Sequence, residues 1–282
     1  MTEYFYVILI VLTFLLLLYL LTVYFSFVYT FKRRKKEPPM YYNLDGDDEH
    51  GRKAFSRKII DDFLALTPSE ELEIKSHDGL KLSARLYMQD EKAPFEIAFH
   101  GYRGIAERDF SGGGMESLLR GHNLLLVDQR AHGKSEGKVI SFGILERLDV
   151  LSWTRYVGQK YPENKIILLG LSMGAATVLM ASELPLENVV CILADCPYSS
   201  PDKIIKKVIS DMHLPRFFFY PTLRLGARLF GKFDLEATSP ALAVGKTKIP
   251  ILIVHGNADS FLPVEMSREL KNINSNIRLF EF

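Results

Sequence analysis

Five near-continuous apolar runs recur along the chain: FEIAF (95–99), NLLLVD (123–128), KIILLG (165–170), VVCILAD (189–195) and IPILIVHG (249–256). A strand that is apolar on both faces must be covered on both faces, which is the habit of parallel sheets. Stretches of helical periodicity lie between the runs, and GILERLDVLSWTRYVGQKYP (143–162) is the clearest of them. Strands alternating with helices predict an α/β fold, a mostly parallel sheet with helices on both faces. Ahead of this region, ELEIKS (71–76) and LKLSARLYM (80–88) alternate in polarity and are joined by HDG, a hairpin signal. RKAFSRKIIDDFLAL (52–66) carries Phe55, Ile59, Phe63 and Leu66 at helical spacing, and Pro68 closes it. IRLFEF (277–282) reads as a final strand.

The front of the chain is of another kind. Tyr4 to Phe31 is a run of 28 residues without a charge. About 20 apolar residues cross a bilayer as a helix. Tyr4, Phe5 and Tyr6 crowd one end, and Tyr24, Phe25, Phe27, Tyr29 and Phe31 the other, as amphipathic rings do at headgroup level. KRRKK (32–36) follows at once. A signal peptide would carry its positive charge before the apolar run and a small-residue cleavage site after it; here the order is reversed. The reading is a single membrane anchor with a basic flank (1–36), and the positive-inside bias puts the rest in the cytoplasm. EPPMYYNLDGDDEH, within 37–51, is polar and proline-led and reads as a linker to a domain over 52–282. With a net charge of +1, no basic excess runs through the body of the chain, and no nucleic-acid partner is expected. Cys191 and Cys196 make neither a disulfide framework nor a zinc spacing and are read as free thiols.

The pattern G-x-S-x-G occurs twice, around Ser135 (133–137) and around Ser172 (170–174). A nucleophile elbow needs a strand before its serine and a helix straight after it. KIILL precedes Ser172 and MGAATVLMASE follows it, whereas Ser135 has no strand directly before it. Ser172 is therefore the candidate nucleophile and Ser135 a loop serine. A serine hydroxyl also needs a base and donors for the developing oxyanion. The backbone N–H of Met173, at the start of the helix, is one expected donor. The N–H of Tyr102, in the loop HGYRG after an earlier strand, is the other. His100 is expected to pin that loop.

Together HGYRG, DQRAHGKSEG, GLSMG and HGNADSFLP resemble the α/β-hydrolase family, and within it the serine aminopeptidase and monoacylglycerol-lipase-like branch. The likeness covers about residues 70–282 in family order. It implies a triad in the order serine, acid, histidine, with Asp259 as the acid; Asp195, after the preceding strand, is the alternative. It also implies a histidine in a loop after the last strand, and no histidine follows Asp259. His255 and His132 are expected to order their loops, and His213 to lie in an insertion. Two readings cover the gap. The first is a fragment that lacks the loop with the base and a closing helix, nearly inactive as it stands. The second is a non-catalytic scaffold of the same fold.

Residues 199–244 interrupt the alternation with an aromatic, basic stretch, placed where a cap would lie over the carboxyl ends of the strands. Phe217, Phe218, Phe219, Tyr220, Leu223 and Leu225 are candidates for its apolar lining, or else two amphipathic helices simply pack there. Arg216, Arg224 and Arg228 are candidates for meeting an anion, or else are solvated. The expected protein is a membrane-anchored serine hydrolase acting on an ester, thioester or amide, with a small-molecule or lipid-like acyl substrate. Peptidase activity stays open. No metal cluster or phosphate loop is legible, and no cofactor is expected.

Overall fold

The computed structural model describes residues 2–34, 36, 38–41, 52–66, 68 and 70–282. Most of the expected linker, 37–51, lies outside them. The eight strands are β1 (Glu70–Lys75), β2 (Lys81–Tyr87), β3 (Phe95–Phe99), β4 (Asn123–Val127), β5 (Ile166–Leu171), β6 (Val189–Asp195), β7 (Ile251–His255) and β8 (Ile277–Glu281). They form one sheet in the order β1-β2-β4-β3-β5-β6-β7-β8. Only the β1–β2 and β2–β4 pairings are antiparallel. The apolar runs are the parallel strands, and every residue of β3 and β4 is buried.

Successive side chains of a strand point to opposite faces. In β4, Leu125 and Val127 join the core under α5 (Glu146–Lys160) and α6 (Met173–Ala181), with Trp153 and Val178. Leu124 and Leu126 join the opposite core with Phe63 of α2 (Arg52–Leu64) and Ala106 of α3 (Ala106–Asp109). The sequence pattern did not predict α4 (Ser111–Leu119), which begins SGGG. Its glycines signal a loop, but one of them answers a packing need. A Cβ on Gly114 would lie 2.8 Å from Leu124 Cδ2 and 3.1 Å from Phe63 Cε2. Beyond β6 come α7 (Pro201–Asp211), α8 (Arg216–Gly226), a π-turn (Ala227–Gly231) and α9 (Pro240–Val244); α10 (Glu265–Ile273) lies between β7 and β8.

The register levels the carboxyl ends of the central strands: Phe99 pairs with Gly170, Gly170 with Ala194, and Ala194 with Ile253. The loops after β3, β5, β6 and β7 therefore meet along one rim, where open α/β sheets hold their ligands.

Helix α1 (Thr2–Phe31) is long and apolar enough to cross a membrane. Most of its side chains from Tyr4 to Leu21 are exposed. Its end is built into the domain. Val23, Phe27 and Phe31, each four residues apart and so on one face, are buried. Phe27 packs on Phe230 (5.5 Å between ring centres) and Phe31 on Phe233 (5.4 Å). The chain leaving the helix is held as well. Ile140 N donates to Phe31 O (2.7 Å), Arg33 N to Lys138 O (2.9 Å), and the Arg33 guanidinium to the carbonyls of Ser135 (2.7 Å) and Gly133. This arginine of the basic flank is thus part of the domain.

Because Phe31 is wholly enclosed, Phe31→Ala is expected to destabilise the domain by about 3–5 kcal/mol. Leu16→Ala, on the exposed part of α1, is expected to cost nothing measurable. Denaturant unfolding of the detergent-solubilised protein, followed by fluorescence of the single, buried Trp153, checks both.

Candidate active site

Ser172 sits between the end of β5 and the start of α6 with φ 55° and ψ −111°, a left-handed turn that a non-glycine residue adopts only under constraint. Two glycines make the turn possible. A Cβ on Gly170 would lie 2.5 Å from Ala175 N, and one on Gly174 would lie 1.8 Å from Phe99 O. Without those side chains, α6 starts directly against the end of β3. Ser172 N donates to Asp195 O (2.8 Å), and Ala176 N to Ser172 O (3.0 Å). The Ser172 side chain lines an open cavity of about 560 Å³.

The two expected oxyanion donors are at this place. The loop after β3 lies against the elbow, so that a Cβ on Gly101 would be 3.7 Å from Ser172 Cβ. Neither Tyr102 N nor Met173 N is accepted by another backbone group among the described residues. Met173 is buried, and an unaccepted buried N–H is uncommon. Four contacts pin the loop. Gly101 N donates to Asp109 Oδ2 (3.1 Å), and Gly104 N to Gly101 O (2.9 Å). His100 Nδ1 donates to Gly101 O (2.8 Å), and Arg103 N donates to His132 Nε2 (3.1 Å). His132 Nδ1 in turn donates to Arg130 O (2.9 Å), and His100 Nε2 accepts from Gln129 N (3.2 Å). Burial pushes both imidazoles below their usual range, so both hold the neutral tautomer these bonds require. Both histidines order loops, as their sequence positions led us to expect.

Asp259 caps the loop after β7. Its Oδ1 accepts from Phe261 N (2.9 Å) and Leu262 N (2.8 Å). Its Oδ2 lies 3.7 Å from His255 Nε2. His255 is fully buried, with Nε2 donating to Leu262 O (2.7 Å) and Nδ1 2.7 Å from Ser267 Oγ. It orders the loop and has no line to Ser172. Asp195 ends β6, and its carbonyl is the acceptor for Ser172 N. Of the histidines, His213 ends the α7 turn in a left-handed conformation and is exposed. His122 pairs with Glu96 (2.5 Å), and His77 is exposed. His50 lies outside the described residues. No described histidine lines the cavity with Ser172.

Ser135 is a buried staple. Its hydroxyl donates to Asp128 O (2.5 Å) and accepts from Ser83 N (2.8 Å), joining the loop to β2. Among the described residues, His77, Asp78 and Asp149 gather within 4.8 Å as a conceivable metal group. Both carboxylates already bind the Arg130 guanidinium, at 3.0 Å and 2.6 Å, so the cluster serves an ion pair.

The cap also differs in detail from the sequence reading. Phe219 and Leu223 line the cavity with Ile205, Val208 and Ile209. Phe217 points to the exterior at 85% exposure, and Tyr220 turns its hydroxyl to Glu236. The buried residues of α8 are Tyr220, Thr222, Leu223 and Gly226, and of the expected lining residues Phe219 and Leu223 reach the cavity. Arg224 and Arg228 are engaged by Asp234, and Arg216 donates to Ser210, which answers the cap charges within the cap. The sequence reading missed the cavity wall formed by Phe25, Ser26, Tyr29 and Thr30 of α1. It also missed Tyr198, buried in the wall with its hydroxyl donating to Phe142 O (2.9 Å).

Residues 97–219 match the sequence profile of the alpha/beta hydrolase fold. The structure overlays an esterase of Pyrococcus furiosus with a TM-score of 0.59 and 24% identity, covering 88% of each chain. It overlays the ferulic-acid-bound protein Est1E of Butyrivibrio proteoclasticus with a TM-score of 0.56 and 22% identity, over 75% of this chain and 88% of that one. Among curated sequences, the uncharacterized protein YqkD of Bacillus subtilis is 29% identical over 153 residues, 53% of this chain and 50% of that protein. The matched stretch thus spans half of that relative.

Cys196, beside Ser172, supplies a test of the site's polarity. Burial, then the nearby Asp195 and Asp259 carboxylates, push its thiol up to about 12. Its thiolate is then roughly 1,000-fold scarcer at pH 8 than that of an ordinary cysteine, and higher intrinsic nucleophilicity recovers part of the loss. A disulfide reagent at pH 8 is expected to modify Cys196 at least about 30-fold more slowly than an unstructured peptide cysteine, as followed by mass spectrometry.

Proposed function

We propose that this chain, which has the α/β-hydrolase fold, is a membrane-anchored serine hydrolase that cleaves a carboxylic ester, thioester or amide through an acyl-enzyme on Ser172. The observation that carries the reading is Ser172 at the strained elbow, beside two backbone N–H groups that no other backbone group accepts. In this chemistry the Ser172 hydroxyl adds to the substrate carbonyl as a base takes its proton. Tyr102 N–H and Met173 N–H hold the oxyanion. The proton passes to the leaving alcohol, thiol or amine, and water then hydrolyses the acyl-serine. The base required is a histidine oriented by Asp259, whose Oδ1 is fixed by two amides while Oδ2 accepts none. The described histidines do not supply it, so the reading calls for one from outside these residues. The thiohydrolase aneE of Aspergillus aculeatus, 30% identical over 45% of this chain and 41% of its own, keeps thioesters among the substrates to try.

In this reading residues 1–36 are the anchor and its basic flank, 37–51 a linker and 52–282 the hydrolase unit with its cap over about 199–244. The burial of Val23, Phe27 and Phe31 in the domain favours an anchor that stays attached over a leader that is removed. The basic flank favours a cytoplasmic domain. The absence of a histidine from the described cavity lining favours one other reading, a membrane-anchored scaffold that binds without catalysis.

A fluorophosphonate probe separates the two. The full-length protein is expected to be labelled on Ser172. Ser172→Ala is expected to abolish the label and lower ester hydrolysis at least about 1,000-fold, while Ser135→Ala keeps the label. A full-length protein that does not label, or a label that survives Ser172→Ala, sinks the enzyme. Protease protection in sealed vesicles reads the orientation; digestion of the domain from the outer, non-cytoplasmic side overturns the cytoplasmic placement.

A further inference from the structure

At 1.5 Å per residue, the 28 residues of the candidate span measure about 42 Å, and a bilayer's hydrocarbon core is about 30 Å thick. About 20 residues from Tyr4 fill that core, which brings the helix to Val23. The remaining two turns, Tyr24–Phe31, lie beyond that length and pack on the domain, which the helix already meets at Tyr19 and Val23. One side of them, Phe27 and Phe31, is buried against the π-turn and Phe233, continuing from Val23, which is buried beside Gly226. Another side, Phe25, Ser26, Tyr29 and Thr30, lines the cavity that holds Ser172.

The helix end is also tied to the loop that offers Tyr102 N–H. The last carbonyls of a helix have no partner within it. Here Tyr102 Oη donates to Thr30 O (2.7 Å), and the Arg103 guanidinium donates to Tyr29 O (2.6 Å). Burial pushes the Tyr102 phenol up to about 12, so it keeps the proton it donates.

Five of the cavity's lining residues are exposed: Arg34 of the basic flank, and four that are apolar or aromatic, Phe25 (63%), Tyr29 (65%), Met212 (49%) and Phe261 (57%). The apolar surface continues along the anchor, where Phe218 of the cap meets Tyr19 at 6.0 Å between ring centres and Phe217 stands exposed beside it. A cluster of exposed apolar groups of this kind marks a surface that meets a ligand, a partner or a membrane. Beside a bilayer-crossing helix, the same cluster lets an acyl chain enter without crossing water.

We propose that the last two turns of α1 are a wall of the Ser172 cavity, and that the site takes a long-chain acyl lipid laterally from the bilayer its own anchor crosses. For its chemistry this rests on the serine-hydrolase reading of Ser172; for occupancy of the cavity it does not. Ser26 faces the chain from the anchor, Met212 faces it from the cap side, and the anchor is both tether and specificity element.

The test uses the full-length protein in liposomes with two fluorophosphonates, a short water-soluble one and a dodecyl one dissolved in the same bilayer. The measured quantity is the ratio of the two labelling rates at Ser172. In the natural protein the dodecyl probe is expected to react faster. Ser26→Trp and, independently, Met212→Trp are each expected to lower the ratio about tenfold, while Leu17→Trp on the lipid-facing part of α1 leaves it unchanged. A ratio that neither cavity substitution moves, with Ser172 still labelled, overturns the inference and spares the hydrolase. Equal rates for the dodecyl probe from the protein's own bilayer and from an aqueous albumin carrier overturn lateral entry. If neither probe labels Ser172, the hydrolase reading fails, and a photoreactive diazirine palmitoyl lipid decides the rest. Cross-links to Phe25–Thr30 and Val208–Met212 sustain the cavity's occupancy, and their absence overturns it.

Discussion

Two backbones touch where no side chain fits between them. Gly174, in the first turn of α6, sits against Phe99 O at the end of β3, closer than any Cβ permits. That approach sets the distance between the nucleophile turn and the loop after β3. It therefore decides whether Met173 N–H and Tyr102 N–H face one point. The strain of the Ser172 φ angle is held by the same contact, since α6 cannot relax away from a sheet whose strands are buried on both faces. A single methyl group there would move the helix, and with it one of the two amides.

Around this contact the polar groups are arranged so that nothing else can drift. His100 and His132, whose rings meet at 4.7 Å, are kept neutral by burial and spend both nitrogens on backbone groups. Asp109 takes Gly101 N, and the hydroxyl of Ser135 joins two chain segments under the loop. A neutral imidazole can accept on one nitrogen and donate on the other, which is what a tight loop with both N–H and C=O groups to satisfy requires. The residues that look most catalytic by type are thus the frame. They are absent from the cavity lining, where Ser172 stands among mostly apolar and aromatic residues.

How much of this was legible follows from the range of the interactions. The elbow is local: strand, serine and helix are consecutive, and the small residues that let them fold tightly stand in the same ten positions. The tight turn at Ser172 and the absence of such a turn at Ser135 could be read from the chain for that reason. The α4 helix was hidden by glycines that serve the packing of Leu124 and Phe63, a need visible only once those side chains are placed. The cap was legible as an insertion but not in its facing. Which aromatic rings of α8 turn inward depends on where α1 and α7 lie, and which arginines are free depends on Asp234.

The sequence alone determined the sheet and its rim, because apolar runs long enough to be buried on both faces have few other uses, and it determined the turn at Ser172 through its neighbouring glycines. It also determined that the first helix could cross a bilayer, since length and lack of charge are properties of the run itself. Only the tertiary structure decided that the end of that helix belongs to the cavity. Tyr29 and Thr30 meet Arg103 and Tyr102 across some seventy residues of chain, and Phe31 meets Phe233 across two hundred. Contacts at that separation leave no periodicity in the sequence; they arise when separate elements, each folded for its own local reasons, bury their remaining apolar faces on one another.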